Sequence, residues 1–150
     1  MPALPSPSGR ARGPETDYRV ALVLPRHGPA GIFGLECLAA AELAASEIDA
    51  AGGVAGRSIQ YVNVDAGGDP LVVAQEIGAL LSTGQIDAVT GWHLSNLRQS
   101  IARVVEGRIP YVYAAAYEGG ERRDGVLCSG EVPTDQILCS LDWLRTELRL

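Results

Sequence analysis

Apolar residues recur along this chain in two alternating patterns. Tyr18 to Leu24 (YRVALVL) is a continuous apolar run, as expected of a strand buried on both faces. Pro25 closes it, and a Gly- and Pro-rich loop, PRHGPAGIFG, follows. Leu38, Ala41, Ala45 and Ile48 then fall at helical spacing, which predicts a helix from about Phe33 to Ala51, stopped by Gly52 and Gly53. Arg57 to Val64 reads as a second strand, ending at Asp65. Asp69 is placed to cap the next helix, and Pro70 sits in its first turn, where a missing N–H costs nothing. That helix carries Val73, Ile77, Leu80 and Leu81 and breaks at Gly84.

The alternation continues. Asp87 to Thr90 is a third short strand, and Gly91 to Leu94 form a loop. Ser95 stands where a cap belongs, before a stripe of Leu97, Ile101, Val104 and Val105 that Gly107 ends. Ile109 to Tyr113 is a fourth strand, Gly125 to Cys128 a fifth, and a last helix from Thr134 carries Ile137, Leu141, Leu144 and Leu148. Strands and helices joined this closely imply an α/β fold of three αβα layers, with a mostly parallel sheet covered on both faces. Residues 18–150 form that lobe, and 1–17, with four prolines, read as a disordered tail. The last helix is still in register at Leu150, so the chain reads as one lobe of something longer, with a second lobe or a homodimer partner to complete it.

Composition narrows the function. The 150 residues are 47% hydrophobic, enough for a core, and only 5% aromatic. A net charge of −6 argues against a surface built to neutralise nucleic-acid phosphates. No apolar stretch is long enough to span a membrane. The tail lacks the apolar segment of a secretory signal, which points to the cytoplasm, or to the periplasm or cell exterior if a signal lies upstream. Cys37, Cys128 and Cys139 match no metal or redox spacing and read as small apolar residues in the interior. The two histidines, His27 and His93, are too few to argue a metal site, and no cofactor is implied.

In open parallel sheets, ligands bind beyond the carboxyl ends of the strands. That rule selects the loops at 25–34, 65–69, 91–95 and 113–119. GWHLS at 91–95 leads into a helix N-terminus, whose amides and partial positive charge suit a carboxylate, amide or urea oxygen. Ser95 adds a hydroxyl, although capping its own helix is the more common role of such a residue. Trp92 and His93 flank that corner as pocket walls; no nucleophile or carboxylate stands at a partner spacing that would make His93 a base. Tyr113 emerges at the end of the fourth strand, with Ala115 and Tyr117 in the loop after it. Gly28, Gly31 and Gly34 are spaced G-x-x-G-x-x-G rather than G-x-G-x-x-G, so a nucleotide-binding enzyme domain, with Asp65 as the ribose-binding acid, is the alternative. An interaction module that recruits a partner through the crevice face is a third reading.

Several motifs carry a resemblance: GIFG at 31–34, ASEIDAAGG at 45–53, GRSIQYVNVDAGGDP at 56–70, IDAVTGWHLS at 86–95 and IPYVYAAAYEGGE at 109–121. In this order they resemble the N-terminal lobe of type I periplasmic binding proteins, over roughly residues 18–148. The stretch from Thr90 to Glu121 is similar to the branch that binds amides, urea and branched-chain amino acids, which includes transporter receptors and a cytoplasmic amide sensor that acts in transcription regulation. The resemblance implies non-covalent solute binding without turnover, and a transporter or regulator as protein partner. It marks Ser95 as a direct ligand contact and Tyr113 as a pocket tyrosine. His93 replaces an aromatic residue of the amide sensor, and Ala115 a hydroxyl residue.

Overall fold

The computed structural model describes residues 17–148. The tail expected at 1–17 therefore lies almost wholly outside the described residues. Five strands form one sheet: β1 (Tyr18–Leu24), β2 (Ile59–Asp65), β3 (Ala88–Gly91), β4 (Tyr111–Tyr113) and β5 (Val126–Cys128). The spatial order is β2-β1-β3-β4-β5, and every pair is parallel. The chain moves outward from β1 to β2, then returns across β1 to β3, so the switch in strand order falls between β1 and β3. Among the described residues the helices are α1 (Gly34–Ala50), α2 (Pro70–Ser82), α3 (Ser95–Val105) and α4 (Pro133–Glu147), with a short 3-10 turn at Gly31–Phe33.

Right-handed crossovers of opposite direction place α1 on one face and α2 and α3 on the other. The side-chain alternation of the strands agrees. Ala21 and Val23 of β1 join Val89, Tyr111, Tyr113 and Val126 in a core with Val73 and Ile77 of α2 and Leu97, Ile101 and Val105 of α3. Leu22 and Leu24 turn the other way, toward Leu35 and Leu38 of α1. Asp69 caps α2 as its position predicts, accepting from the amides of Leu71 and Val72 at 2.8 and 3.3 Å.

The structure corrects the reading in several places. β2 starts two residues later, because Arg57 is drawn aside into a bridge with Val54 and its guanidinium reaches the Asp17 carbonyl and Asp87. β4 starts at Tyr111, because the Ile109 amide still bonds back to the Val105 carbonyl of α3. α1 packs over β1 and β2, and Leu127 of β5 is exposed. The stripe of α4 buries nothing: Ile137 and Leu141 are each 56% exposed. Cys139, on the same helix, is exposed rather than interior.

Candidate functional site

The loops that leave the carboxyl ends of β1, β2 and β3 enclose a cavity of about 180 Å3 at the strand-order switch. His27 and Ala30 of the first loop, Gly67 of the second, and His93, Asn96 and Leu97 of the third line it. A larger cavity of about 450 Å3 lies under α1, walled mainly by Leu22, Leu24, Leu35 and Leu38. It runs along the flank of β1 and β2 and gathers few polar groups, so the smaller cavity is the better place for a polar solute.

β3 positions the third loop. Gly91 pairs with Val23 on one side and Tyr113 on the other. A Cβ at Gly91 would lie 2.0 Å from the Val23 carbonyl oxygen, and its φ is +147°. Only glycine lets β3 approach β1 this closely before the chain turns into α3. Leu94, not Ser95, is the N-cap, and its carbonyl accepts from the amides of Leu97 and Arg98, both at 3.1 Å. Ser95 is the first residue of α3 and does not cap it, which corrects the capping role its position suggests. Its hydroxyl is half-buried.

His93 is 2% exposed. Its Nδ1 donates to the Leu94 carbonyl at 3.3 Å, and its Nε2 accepts from the Tyr111 hydroxyl at 3.1 Å. Burial lowers its pKa to about 4, aided by the Arg98 charge and only partly opposed by the Leu94 carbonyl. The ring is therefore neutral at pH 7, with both nitrogens committed. Tyr113 is 1% exposed, and its hydroxyl donates to the His93 carbonyl oxygen. Both rings support the loop from beneath.

Trp92 is half-buried, its ring 4.7 Å from that of Phe33. Ala115 is buried, and Tyr117 is half-buried beside the Arg98 guanidinium. Of the six residues singled out in the sequence, only His93 lines the cavity. Tyr113 and Tyr117 lie instead beside Arg98, which pairs with Glu118 at 2.5 Å and with Glu121.

Sequence reasoning passed over one polar pair at the cavity. Asp65, at the end of β2, accepts from the Arg26 amide at 2.9 Å, the Gly67 amide at 2.8 Å and His27 Nδ1 at 2.8 Å. Burial alone would raise its pKa, but the Arg26 and Gly67 amides and His27 outweigh that and hold it below the usual range. The signal was present as a histidine in the loop after β1 and an acid at the end of β2. The same bonds occupy Asp65 in holding two loops together, the role opposite to a free ribose-binding acid. Among the described residues, no cluster of three or more histidine, cysteine or carboxylate side chains could hold a metal.

Comparison with known proteins agrees with this architecture. The family described as "Periplasmic binding protein" matches residues 17–149. No curated relative matches the sequence significantly. Among solved structures, the chain is similar to the branched-chain amino acid transporter substrate binding protein LivJ from Streptococcus pneumoniae, solved with isoleucine (17% identity, 89% of this chain, 39% of that one, TM-score 0.66). It is also similar to a fatty acid ABC transporter substrate-binding protein from Thermomonospora curvata (18% identity, 91% and 35%, TM-score 0.73). A third is the leucine binding protein LivK from Thermotoga maritima (19% identity, 87% and 37%, TM-score 0.66). The chain spans less than two fifths of the length of each of these. The likeness is one of fold, shared over a partial lobe, and the family match over nearly the whole sequence fixes the assignment: the chain belongs to the periplasmic binding protein family.

Proposed function

We propose that this lobe binds a small polar solute, an amide, a urea or an amino-acid-like molecule, without chemical turnover. The observation that carries the reading is the cavity at the strand-order switch, bounded by the first turn of α3 and by loops from β1 and β2. The N–H groups at the start of a helix lie in a region of partial positive potential and favour a solute oxygen. Asn96 and Leu97 bring that turn to the cavity wall. The apolar contribution comes from Ala30, Ala66, Leu94 and Leu97. In the whole protein, a transporter or a regulator would then read the bound state. The structural relatives named for transport of amino and fatty acids favour the transporter.

His93 has both nitrogens engaged, and His27 and Asp65 have no nucleophile among their bonded partners. Isothermal titration with acetamide, urea, leucine and isoleucine tests the reading, with product analysis alongside. Saturable 1:1 binding with unchanged solutes is expected. Ala30→Trp, which fills the cavity from its half-buried wall, is expected to abolish it. Binding that survives this substitution, in a chain of unchanged fold, would place the solute elsewhere.

A further inference from the structure

We infer that His27 is a specificity-determining residue of the cavity, selecting solutes that present an N–H donor, an ammonium or a primary amide, to its Nε2. The inference rests on the solute-binding reading above. It starts from the carboxylate of Asp65, which accepts from two backbone amides and from His27 Nδ1. An ionised carboxylate can only accept, so when the His27 ring carries a single proton, that proton sits on Nδ1. Nε2 is then the lone-pair nitrogen. The tautomer follows from the partner.

The ring is also held from a second side. A Cβ at Gly67 would lie 2.8 Å from His27 Nδ1 and 2.6 Å from the His27 carbonyl oxygen, so the glycine is in close contact with both. Despite these restraints, the His27 side chain is 64% exposed, and it lines the cavity. His93 lines the same cavity, yet its two nitrogens are bonded to Leu94 and Tyr111. Of the two imidazoles at the cavity, His27 alone has a nitrogen left for a solute.

The cavity thus has two unlike ends. The first turn of α3 favours an oxygen acceptor. His27 Nε2, with the Asp65 charge behind it, favours a donor. An amino acid or a primary amide satisfies both ends. A carboxylate without an amine meets a lone pair and a negative charge at the His27 end.

Two probe pairs, whose members differ in the nitrogen group and with it in one unit of net charge, test the inference: leucine against 4-methylpentanoate, and acetamide against acetate. Each is titrated calorimetrically into the full chain and into His27→Ala and His27→Gln, with circular dichroism checking the fold. The wild type is expected to prefer the nitrogen-bearing member. His27→Ala is expected to lose about tenfold in affinity for that member, with the carboxylates changed by less than about twofold. His27→Gln, which restores an acceptor, is expected to recover part of the loss. Equal loss for both members of a pair, or no loss for either, overturns the role of His27 while solute binding stands. Binding of none of the four by the wild type overturns the solute-binding reading and this inference together.

Discussion

The hydroxyl of Tyr113 donates to the carbonyl oxygen of His93 across 2.6 Å, in the interior of the protein. The bond joins the end of β4 to the loop that leads from β3 into α3. It fixes the backbone at the point where the cavity wall begins. Tyr113→Phe keeps the ring and removes the donor, leaving a buried carbonyl oxygen unpaired. The expected loss is about 1–3 kcal/mol of stability by chemical denaturation. A loss below a few tenths would mean the carbonyl finds another donor.

His93 gives the fold a dependence on pH. The buried ring resists protonation down to about pH 4, whereas an unfolded histidine protonates near its ordinary value of 6.5. The contribution to stability is fully present above pH 6.5, and it falls as the pH drops toward 4, because the unfolded chain gains a proton that the folded one refuses. The total is about 3 kcal/mol for a shift of this size. Urea unfolding at pH 7 and pH 4.5 measures it, with His93→Gln as the reference. The variant is expected to lose less stability on acidification than the wild type; parallel curves would contradict this assignment.

Arg98 is the hub of a second buried group. Its side chain is 3% exposed, pairs with Glu118 and Glu121, and lies 5.6 and 5.5 Å from the centres of the Tyr113 and Tyr117 rings. It ties α3 to the loop after β4. Arg98→Met removes one of the two guanidinium partners of the Glu121 carboxylate, itself 4% exposed, leaving it the Arg123 side chain and the Arg122 and Arg123 amides. The expected cost is about 3–5 kcal/mol. Adding Glu121→Gln removes that carboxylate charge and is expected to restore part of the stability. Additive losses in the double variant would show that the two side chains are not coupled.

Gly91 sets the spacing between β1 and β3. Its positive φ and the contact that a Cβ would make with Val23 both exclude a side chain. Gly91→Ala is expected to cost about 1–3 kcal/mol or more through strand displacement. It is also expected to weaken solute binding, because the loop that it launches forms the cavity wall. A variant with wild-type melting and binding would contradict the tight approach of the two strands.

Element types and order were legible in the sequence because strand and helix periods alternate cleanly, with Gly and Pro between them. Element edges moved by a residue or two where a local bond intervened, as at Arg57 and Ile109. The fate of α4 was not legible. A helical stripe such as Ile137, Leu141 and Leu144 says that one face is apolar, not what lies against it. The position of the candidate cavity was legible from the rule for parallel sheets. Its residues were only partly so, because a tyrosine at a strand end can face the cavity or the core, and spacing does not distinguish the two. Tyr113 points to the core; the His27–Asp65 pair, 38 residues apart in sequence, meets only in the fold.

The most direct measurement is backbone amide NMR of the chain during titration with leucine and with acetamide. Saturable shifts confined to residues 25–31, 66–69 and 92–97 are the expected result, since these loops enclose the cavity. Shifts centred on the cavity under α1, at Leu22, Leu35 and Leu38, or no shifts in a folded chain, would contradict a solute site at the strand-order switch.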